Sequence, residues 1–454
     1  MKRTINNSVY KMKKNEEYIV DIIDYGANGE GIAKIDGFTV FVSGALKGEK
    51  CKIIILKVNK NYGFAKVKEI IKKSEKRVEI DCKTFPRCGG CNLRHISYDE
   101  TLNIKSQKVQ NLINKTFGKE NNIIVNKTIK MDNPFFYRNK AIYPINSNMV
   151  PGIFASRSHD VVPFKECKIQ TILSQKIARY VCENWNGTIY DEKQNKGCLR
   201  NIVIREAFNT KELMLIIVES NYEKNAISIE NIIENFPMIK TVIVNVNNKV
   251  TNVVLSNDNI VLYGKGYITD ILSNKKFKIS PNSFYQVNPV QTEKIYNIAI
   301  KEADLNKNDI LCDLYCGIGT IGIFASDKVK KVYGIEIVKQ AIADAKENAN
   351  INNINNIEFI NGDVEYSFDE LLKKNIIPDV VIVDPPRKGL DDKTIENLNN
   401  LKFKKIIYVS CSPETLARDL KKLSEEYNIK NITPIDNFPY TSHIETVTVL
   451  NIKE

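Results

Sequence analysis

From residue 309 onward the chain alternates short apolar runs with amphipathic stretches, and this rhythm limits the fold more than any other feature. The runs DILCDLYC, KVYGIEI, IEFINGDV, DVVIVDPP and KIIYVSC are separated by helix-forming stretches near 320–327, 338–351, 365–374, 392–400 and 413–427. Such alternation predicts a doubly wound parallel α/β sheet, Rossmann-like, with helices on both faces. Two later runs, ITPIDNF and HIETVTVLNI, have no helix between them and predict a terminal hairpin on the sheet's edge.

With 454 residues, the chain is too long for one core and predicts a multidomain protein. Residues 10–72 read as short strands punctuated by Gly26, Gly29, Gly31, Gly37 and Gly48, which predicts a small OB-like β-barrel, a frequent nucleic-acid platform. Residues 73–280 form a central α+β domain. Within it a helix is expected over 98–117, packing on the catalytic domain. The runs CLRNIVIREA, ELMLIIVES, TVIVNVN and NIVLYG predict an antiparallel sheet with a helix near 225–235. Residues 281–454 make the third domain.

The net charge of +12 is uneven: residues 45–78 carry eleven Lys or Arg against three Glu. A solvated basic face has the same composition, but the clustering favours a polyanionic partner such as RNA. No run reaches the roughly 18 apolar residues of a membrane span, so a cytoplasmic protein without membrane contact is expected. Nothing in the sequence implies an obligate protein partner. The ten cysteines of such a chain are not expected to form disulfides. Cys51, Cys182, Cys198, Cys312 and Cys316 sit singly in apolar runs and default to core.

Asp313-Leu-Tyr-Cys-Gly-Ile-Gly319-Thr-Ile-Gly322 follows the first strand and opens the first helix. Glycines there let the backbone approach a nucleotide-like ligand, and the helix N-terminus offers free N–H groups. On its own this pattern suits NAD enzymes equally well. Glu336, ending the second strand, is placed for ribose hydroxyls; Asp363 suits an adenine edge or a helix cap. Asp384-Pro-Pro-Arg387-Lys388-Gly389 ends the fourth strand in rigid, extended backbone. Enzymes that methylate amino groups usually place an aromatic after such a Pro pair; here Arg387 follows it.

Cys411 ends the fifth strand. Ser412 suits the N-cap of the next helix and Pro413 its first position. The sulfur is thereby expected beside a helix N-terminus, whose partial positive charge favours thiolate, with Arg387 and Lys388 adding to the effect.

Together DPPRKG, VSCSPETLARDL, HIET, DLYCGIGT and Ser283-Phe-Tyr-Gln286-Val-Asn288 resemble the motifs of the RNA uracil-5-methyltransferases, in the family's order and over nearly the whole chain. The resemblance is to the branch acting on 23S ribosomal RNA, with residues 1–70 similar to its TRAM domain. It implies methylation of carbon 5 of uridine with S-adenosylmethionine as donor. Cys411 would be the nucleophile and Glu445 the base. Gln286, Tyr315, Glu336 and Asp384 would hold the donor, Asp384 also within reach of the uracil. A transfer-RNA substrate is the alternative; the barrel and the cysteine set argue against it, since the transfer-RNA branch commonly lacks both. A non-catalytic RNA-binding protein would leave Cys411 and Glu445 without a role.

Cys82, Cys88, Cys91 and Cys167 remain. One CxxC knuckle with two lone cysteines leaves zinc and iron–sulfur equally open on spacing. The resemblance implies a [4Fe–4S] cluster, and the CxxxCxxC of radical S-adenosylmethionine enzymes is absent. Phe135-Phe-Tyr-Arg138-Asn-Lys140 interleaves aromatic and basic residues. The resemblance raises Arg138 and Lys140 as RNA contacts, although a core strand flanked by charges fits the composition as well.

Overall fold

Strict alternation of side chains builds the N-terminal barrel. The computed structural model describes residues 12–454. Its first strands are β1 (Glu17–Asp21), β2 (Asp24–Tyr25), β3 (Gly31–Ile35), β4 (Phe38–Ser43), β5 (Lys50–Val58) and β6 (Tyr62–Lys72). They pair in the order β1-β5-β6-β4-β3-β2. Phe38, Val40 and Val42 of β4 point into a core shared with Ile53, Ile55 and Ala65, while Thr39, Phe41 and Ser43 point away from it. Each such burial of a Val, Ile or Phe is worth about 1.5–3 kcal/mol. Behind β6, Arg77 grips the buried Glu49 through Nε at 2.6 Å and a second nitrogen at 2.8 Å.

Helix α1 (Tyr98–Phe117) follows, then β7 (Ile124–Val125), β8 (Lys140–Pro144), β9 (Gly152–Phe154), β10 (Val161–Pro163) and α2 (Ile172–Glu183). Next come β11 (Leu199–Glu206), β12 (Leu213–Glu219), α3 (Ile229–Asn235), β13 (Ile239–Val246), β14 (Asn259–Gly264), β15 (Ile268–Leu272) and β16 (Lys275–Ile279). Contacts divide the chain into two compact units. One comprises the stretch up to Asp81 with Cys91–Ile104 and Tyr440–Ser442; the other comprises Cys82–Gly90, Lys105–Pro439 and His443–Glu454.

The central sheet of the larger unit has the order β14-β13-β12-β11-β8. It is mixed, where an antiparallel sheet was expected: β12 and β13 run parallel. The cause is α3, which carries the chain back across the sheet between them, as parallel neighbours require.

The C-terminal part opens with α4 (Pro289–Ala303). It continues as β17 (Ile310–Leu314), α5 (Thr320–Ala325), β18 (Lys331–Glu336), α6 (Lys339–Ile351), β19 (Ile357–Asn361), α7 (Val364–Lys373), β20 (Val380–Val383), α8 (Asp392–Leu401), β21 (Lys405–Ser410), α9 (Pro413–Leu423), β22 (Tyr427–Ile435) and β23 (Glu445–Ile452). The sheet order is β19-β18-β17-β20-β21-β23-β22-β7, with β17 to β21 parallel. This is the expected doubly wound sheet with helices between strands. The terminal hairpin is present, but it does not close the edge, because the short β7 pairs with β22. Val109 and Ile113 of α1 pack into this sheet's core beside Leu416 and Leu450. Among the described residues no helix is long and apolar enough to cross a membrane.

Candidate active site

The carboxyl ends of the parallel strands surround a cavity of about 870 Å³. Gln286, Tyr315, Glu336, Asp384, Cys411 and Glu445 all line it, so residues chosen from six separate stretches of sequence share one space. Asp363 lines it too, while its carboxylate also caps α7 by accepting from the Glu365 N–H at 3.1 Å.

One wall is the loop after β17. Gly317 and Gly319 have φ of 54° and 80°, and Tyr315 is left-handed as well, at 62°. For a bulky residue that backbone costs about 1–3 kcal/mol, a strain typical of ligand-holding loops. A Cβ on Gly319 would lie 2.7 Å from the Phe359 ring, so only glycine lets the loop pack there. Glu336 fixes the loop from the next strand, accepting from the Gly317 N–H at 3.1 Å and the Val338 N–H at 2.8 Å. Beneath it Asp313 accepts from the Gly322 N–H at 2.8 Å, while its other oxygen, Oδ1, is buried without a hydrogen bond. Burial, with the charges of Asp384 and Glu336, pushes Asp313 up to about 8 despite that N–H. A glycine cradle, a cavity-lining carboxylate at the end of the second strand and a cavity of this size fit an adenosyl ligand.

The opposite wall follows from strand register. Ser410 pairs with Thr446 across β21 and β23. Cys411 and Glu445 flank this last pair of the ladder; both line the cavity, near enough for the Glu445 charge to act on the thiol. Ser412 caps α9 by accepting from the Thr415 N–H, with Pro413 in the first turn, as expected. The electrostatic expectation is overturned. Burial, then the charges of Glu445 and Asp384, push the Cys411 thiol up to about 11; Arg387 and the backbone only partly oppose this. Burial is the largest cause, and the two carboxyls, Glu445 of β23 and Asp384 after β20, add to it.

Those carboxyls are themselves displaced. Burial pushes Asp384 up to about 7, although one side of it faces the cavity. Glu445 is pushed up to about 8, by burial first and then by Asp384. The Asn437 amide and Arg387 favour its ionised form. Asn437 is fully buried, and neither atom of its side-chain amide makes a hydrogen bond of ordinary geometry.

Some lining residues had no sequence signal as site members. Phe284 is 70% exposed yet borders the cavity, and Phe438 meets His443 edge-on at 5.9 Å between ring centres. Both lie within or beside motifs that drew notice for other residues. Burial and the cations Arg387, Lys105, Lys108 and Arg138 push His443 down to about 4, so it is neutral at physiological pH. Arg138 thus belongs to a positive environment around His443, although neither it nor Lys140 lines the cavity. Lys140 lies on β8 opposite Arg205; burial and that guanidinium push it down to about 8.

The cysteine expectation is not met in the same way. Among the described residues no group of three or more His, Cys, Asp or Glu side chains is arranged to hold a metal. Cys82, Cys88 and Cys167 belong to the larger unit and Cys91 to the smaller. Cys82 Sγ lies 3.2 Å from Thr84 Oγ1, and the Gly90 N–H points at Cys88 Sγ from 3.4 Å. Burial raises both Cys88 and Cys167, charge on Cys82 adds to the rise of each, and charge on Cys167 adds to that of Cys88.

Comparison with known proteins agrees with the donor cavity. Residues 215–453 match the tRNA (Uracil-5-)-methyltransferase family and residues 11–68 the TRAM domain. An uncharacterised RNA methyltransferase of Clostridium tetani is 44% identical over 448 residues, 97% of each chain. One from Staphylococcus aureus is 40% identical, over 97% of this chain and 99% of its own. The crystal structure of the Pyrococcus abyssi tRNA (uracil-54, C5)-methyltransferase with S-adenosyl-L-homocysteine superposes with a TM-score of 0.75 at 28% identity, covering 95% of this chain and 99% of that one. With a family match across the site and relatives aligned along its length, the chain belongs to the S-adenosylmethionine-dependent RNA (uracil-5-)-methyltransferases that carry an N-terminal TRAM domain.

Proposed function

We propose that this enzyme methylates carbon 5 of a uridine in 23S ribosomal RNA, with Cys411 as nucleophile and Glu445 as base. The observation that carries this reading is that Cys411 and Glu445, which flank the last ladder pair Ser410–Thr446, share the wall of one cavity and interact there. Carbon 5 of uracil is too weak a nucleophile to be alkylated directly. Once the Cys411 thiol has given its proton to solvent, the thiolate adds to carbon 6, forms a C–S bond and sends the electron pair to the carbon 4 oxygen, making carbon 5 nucleophilic. Bound S-adenosylmethionine supplies the electrophilic methyl group, with Gln286, Tyr315, Glu336 and Asp384 as its holders. Glu445 then takes the proton from carbon 5, the double bond re-forms, and the C–S bond breaks to return the thiolate. A carboxyl raised to about 8 is basic enough for that task near neutral pH. A base within a stacked helix cannot reach both groups, so the uridine must be flipped out or unpaired. Arg138 is the better phosphate candidate of the two basic residues, being one of the cations around His443; the enclosed Lys140 is the weaker.

The ribosomal substrate rests on the motif resemblance. One observation favours transfer RNA instead. The Pyrococcus abyssi enzyme named for tRNA covers 95% of this chain, leaving out fewer residues than the barrel contains, so the barrel does not discriminate. The test is transfer of labelled methyl to separately purified ribosomal and transfer RNA lacking the modification. Label at carbon 5 of uridine in ribosomal RNA alone is expected; label in transfer RNA alone overturns the substrate assignment.

The [4Fe–4S] cluster on Cys82, Cys88, Cys91 and Cys167 is proposed from the family resemblance alone, and no catalytic step depends on it. Anaerobically purified protein should be brown; a colourless preparation with stoichiometric zinc removes the cluster.

A further inference from the structure

The outer face of the barrel carries three aromatic rings that its core does not use. Phe41 of β4 and Phe64 of β6 are register partners, and Tyr62 precedes Phe64 by two residues on the same face. Ring centres are 5.8 Å apart for Phe41–Tyr62, 5.9 Å for Phe41–Phe64 and 5.5 Å for Tyr62–Phe64. None of the three packs against the barrel core, whose members on these strands are Phe38, Val40, Val42 and Ala65. Tyr62 is 40% exposed.

Cations frame this triangle. Register sets Lys57 of β5 beside Phe64, Lys34 of β3 beside Thr39 in the Tyr62 row, and Lys66 beside Ser43 one row further. Lys60 stands two residues before Tyr62 in the turn. All four are exposed, and none joins an ion pair among the described residues. The barrel's pairs use Lys47, Lys52, Lys68 and Arg77 instead. Aromatic faces among unpaired cations suit an unpaired nucleotide strand, whose bases expose π-faces and whose phosphates stay outside. A paired duplex hides those faces and offers only phosphate.

We propose that the Phe41–Tyr62–Phe64 face is a stacking platform for an unpaired segment of the substrate RNA distinct from the target uridine, flanked by phosphate contacts from Lys34, Lys57 and Lys66. The proposal rests on the reading that RNA is the substrate, and it adds that this RNA presents a single-stranded stretch to the barrel. Tyr62 meets both phenylalanines edge-on, at 82° and 89°, and Phe41 and Phe64 lie tilted by 34°, so the three rings form one continuous aromatic patch with Tyr62 as its exposed member.

The test uses the full-length protein and a 12-nucleotide RNA bearing 2-aminopurine, free or annealed to its complement. Tyr62→Ala and Phe64→Ala should each weaken binding of the free strand by about 5- to 100-fold. Both should leave duplex binding unchanged and abolish the fluorescence quenching seen with the unaltered protein, while Tyr62→Phe behaves as the parent. Thermal melting of each variant confirms that the fold persists. Parent-like binding by both alanine variants overturns the platform, as does an equal loss on free strand and duplex. Quenching through Tyr62 without methyl transfer to any RNA would remove the catalytic reading and leave this one standing. Strong transfer with unaltered binding by the variants would remove only the platform.

Discussion

Glu49 in the barrel and Glu445 in the cavity are equally cut off from water, at 1% and 4% exposure, yet their surroundings drive them in opposite directions. Burial works against the charge of both. For Glu49, Arg77 and the N–H groups of Leu46 and Ser74 outweigh it and hold the carboxyl below its usual range. Glu445 has Asp384 beside it and only Arg387 and an ill-aligned Asn437 in its favour, so it rises to about 8. The same residue type under the same burial becomes a structural anchor where the chain supplies donors and a carboxyl that keeps its proton to higher pH where it withholds them. Perturbation of the second kind, in a cavity, is what catalytic sites share.

The largest way to sharpen this contrast is Glu445→Gln. Losing a general base costs about 100- to 10,000-fold in turnover. Because Cys411 still adds and methyl transfer precedes proton removal, a covalent protein–RNA adduct should accumulate and resist denaturing electrophoresis. Full turnover without an adduct would break the assignment. The substitution should also stabilise the fold. Glu445 holds its proton in the folded state up to about 8, whereas the unfolded chain releases it near the ordinary carboxyl value. Between those two pH values the unfolded state binds fewer protons, so stability falls as pH rises and levels off above the folded value. The loss is on the order of 4 kcal/mol and is absent from Glu445→Gln. Urea unfolding at pH 5 and pH 8.5 reads it as a variant that gains on the parent only at the higher pH.

Breaking the other half of the comparison calls for Arg77→Ala. It leaves Glu49 buried with its N–H donors but without its cation, and removing one partner of such a pair costs about 3–5 kcal/mol. The pH sign is opposite to that of Glu445. A lowered carboxyl contributes stability above the unfolded value and loses it as pH falls through the folded one, so the parent's advantage over Arg77→Ala should fade in acid. Methyl transfer by surviving folded protein should be retained, as Arg77 is not among the cavity residues. An equal loss at pH 3 and pH 7 would show that Arg77 acts through packing rather than charge.

Sequence legibility divides along the same line between local and long-range causes. The strand–thiol–helix junction at Cys411 was readable because Ser412 and Pro413 set the cap within a few residues. The strand–helix rhythm revealed the doubly wound sheet for the same reason. The charge state of Cys411 was not readable, since Asp384 and Glu445 reach it from β20 and β23. Nor was the direction of β13, or the addition of β7 to the hairpin edge; two residues leave no periodic signal. The aromatic face depends on β4 pairing with β6, which brings Phe41 beside Phe64 across 23 positions of chain. Of the cysteine set, spacing gave donor types but no arrangement, and among the described residues no metal-holding group is formed.

The smallest effect tests how finely the cavity sets Glu445. Asn437 is buried, neither atom of its amide makes a hydrogen bond of ordinary geometry, and the amide opposes the rise of Glu445. Its backbone is held independently, the carbonyl accepting from Asn288 Nδ2 at 2.9 Å, so a side-chain change leaves the turn in place. Asn437→Leu is close in size and removes both amide atoms, including the amide that favours the ionised form of Glu445. Stability should be unchanged or slightly higher. The rise of kcat/KM with pH, which follows ionisation of Glu445, should move toward alkaline pH by up to about one unit, while the plateau rate is kept. Asn437→Asp should move it further, because a second carboxyl then stands beside Glu445. If all three enzymes share one pH profile, Asn437 does not act on Glu445, whose proton affinity is set by burial, Asp384 and Arg387.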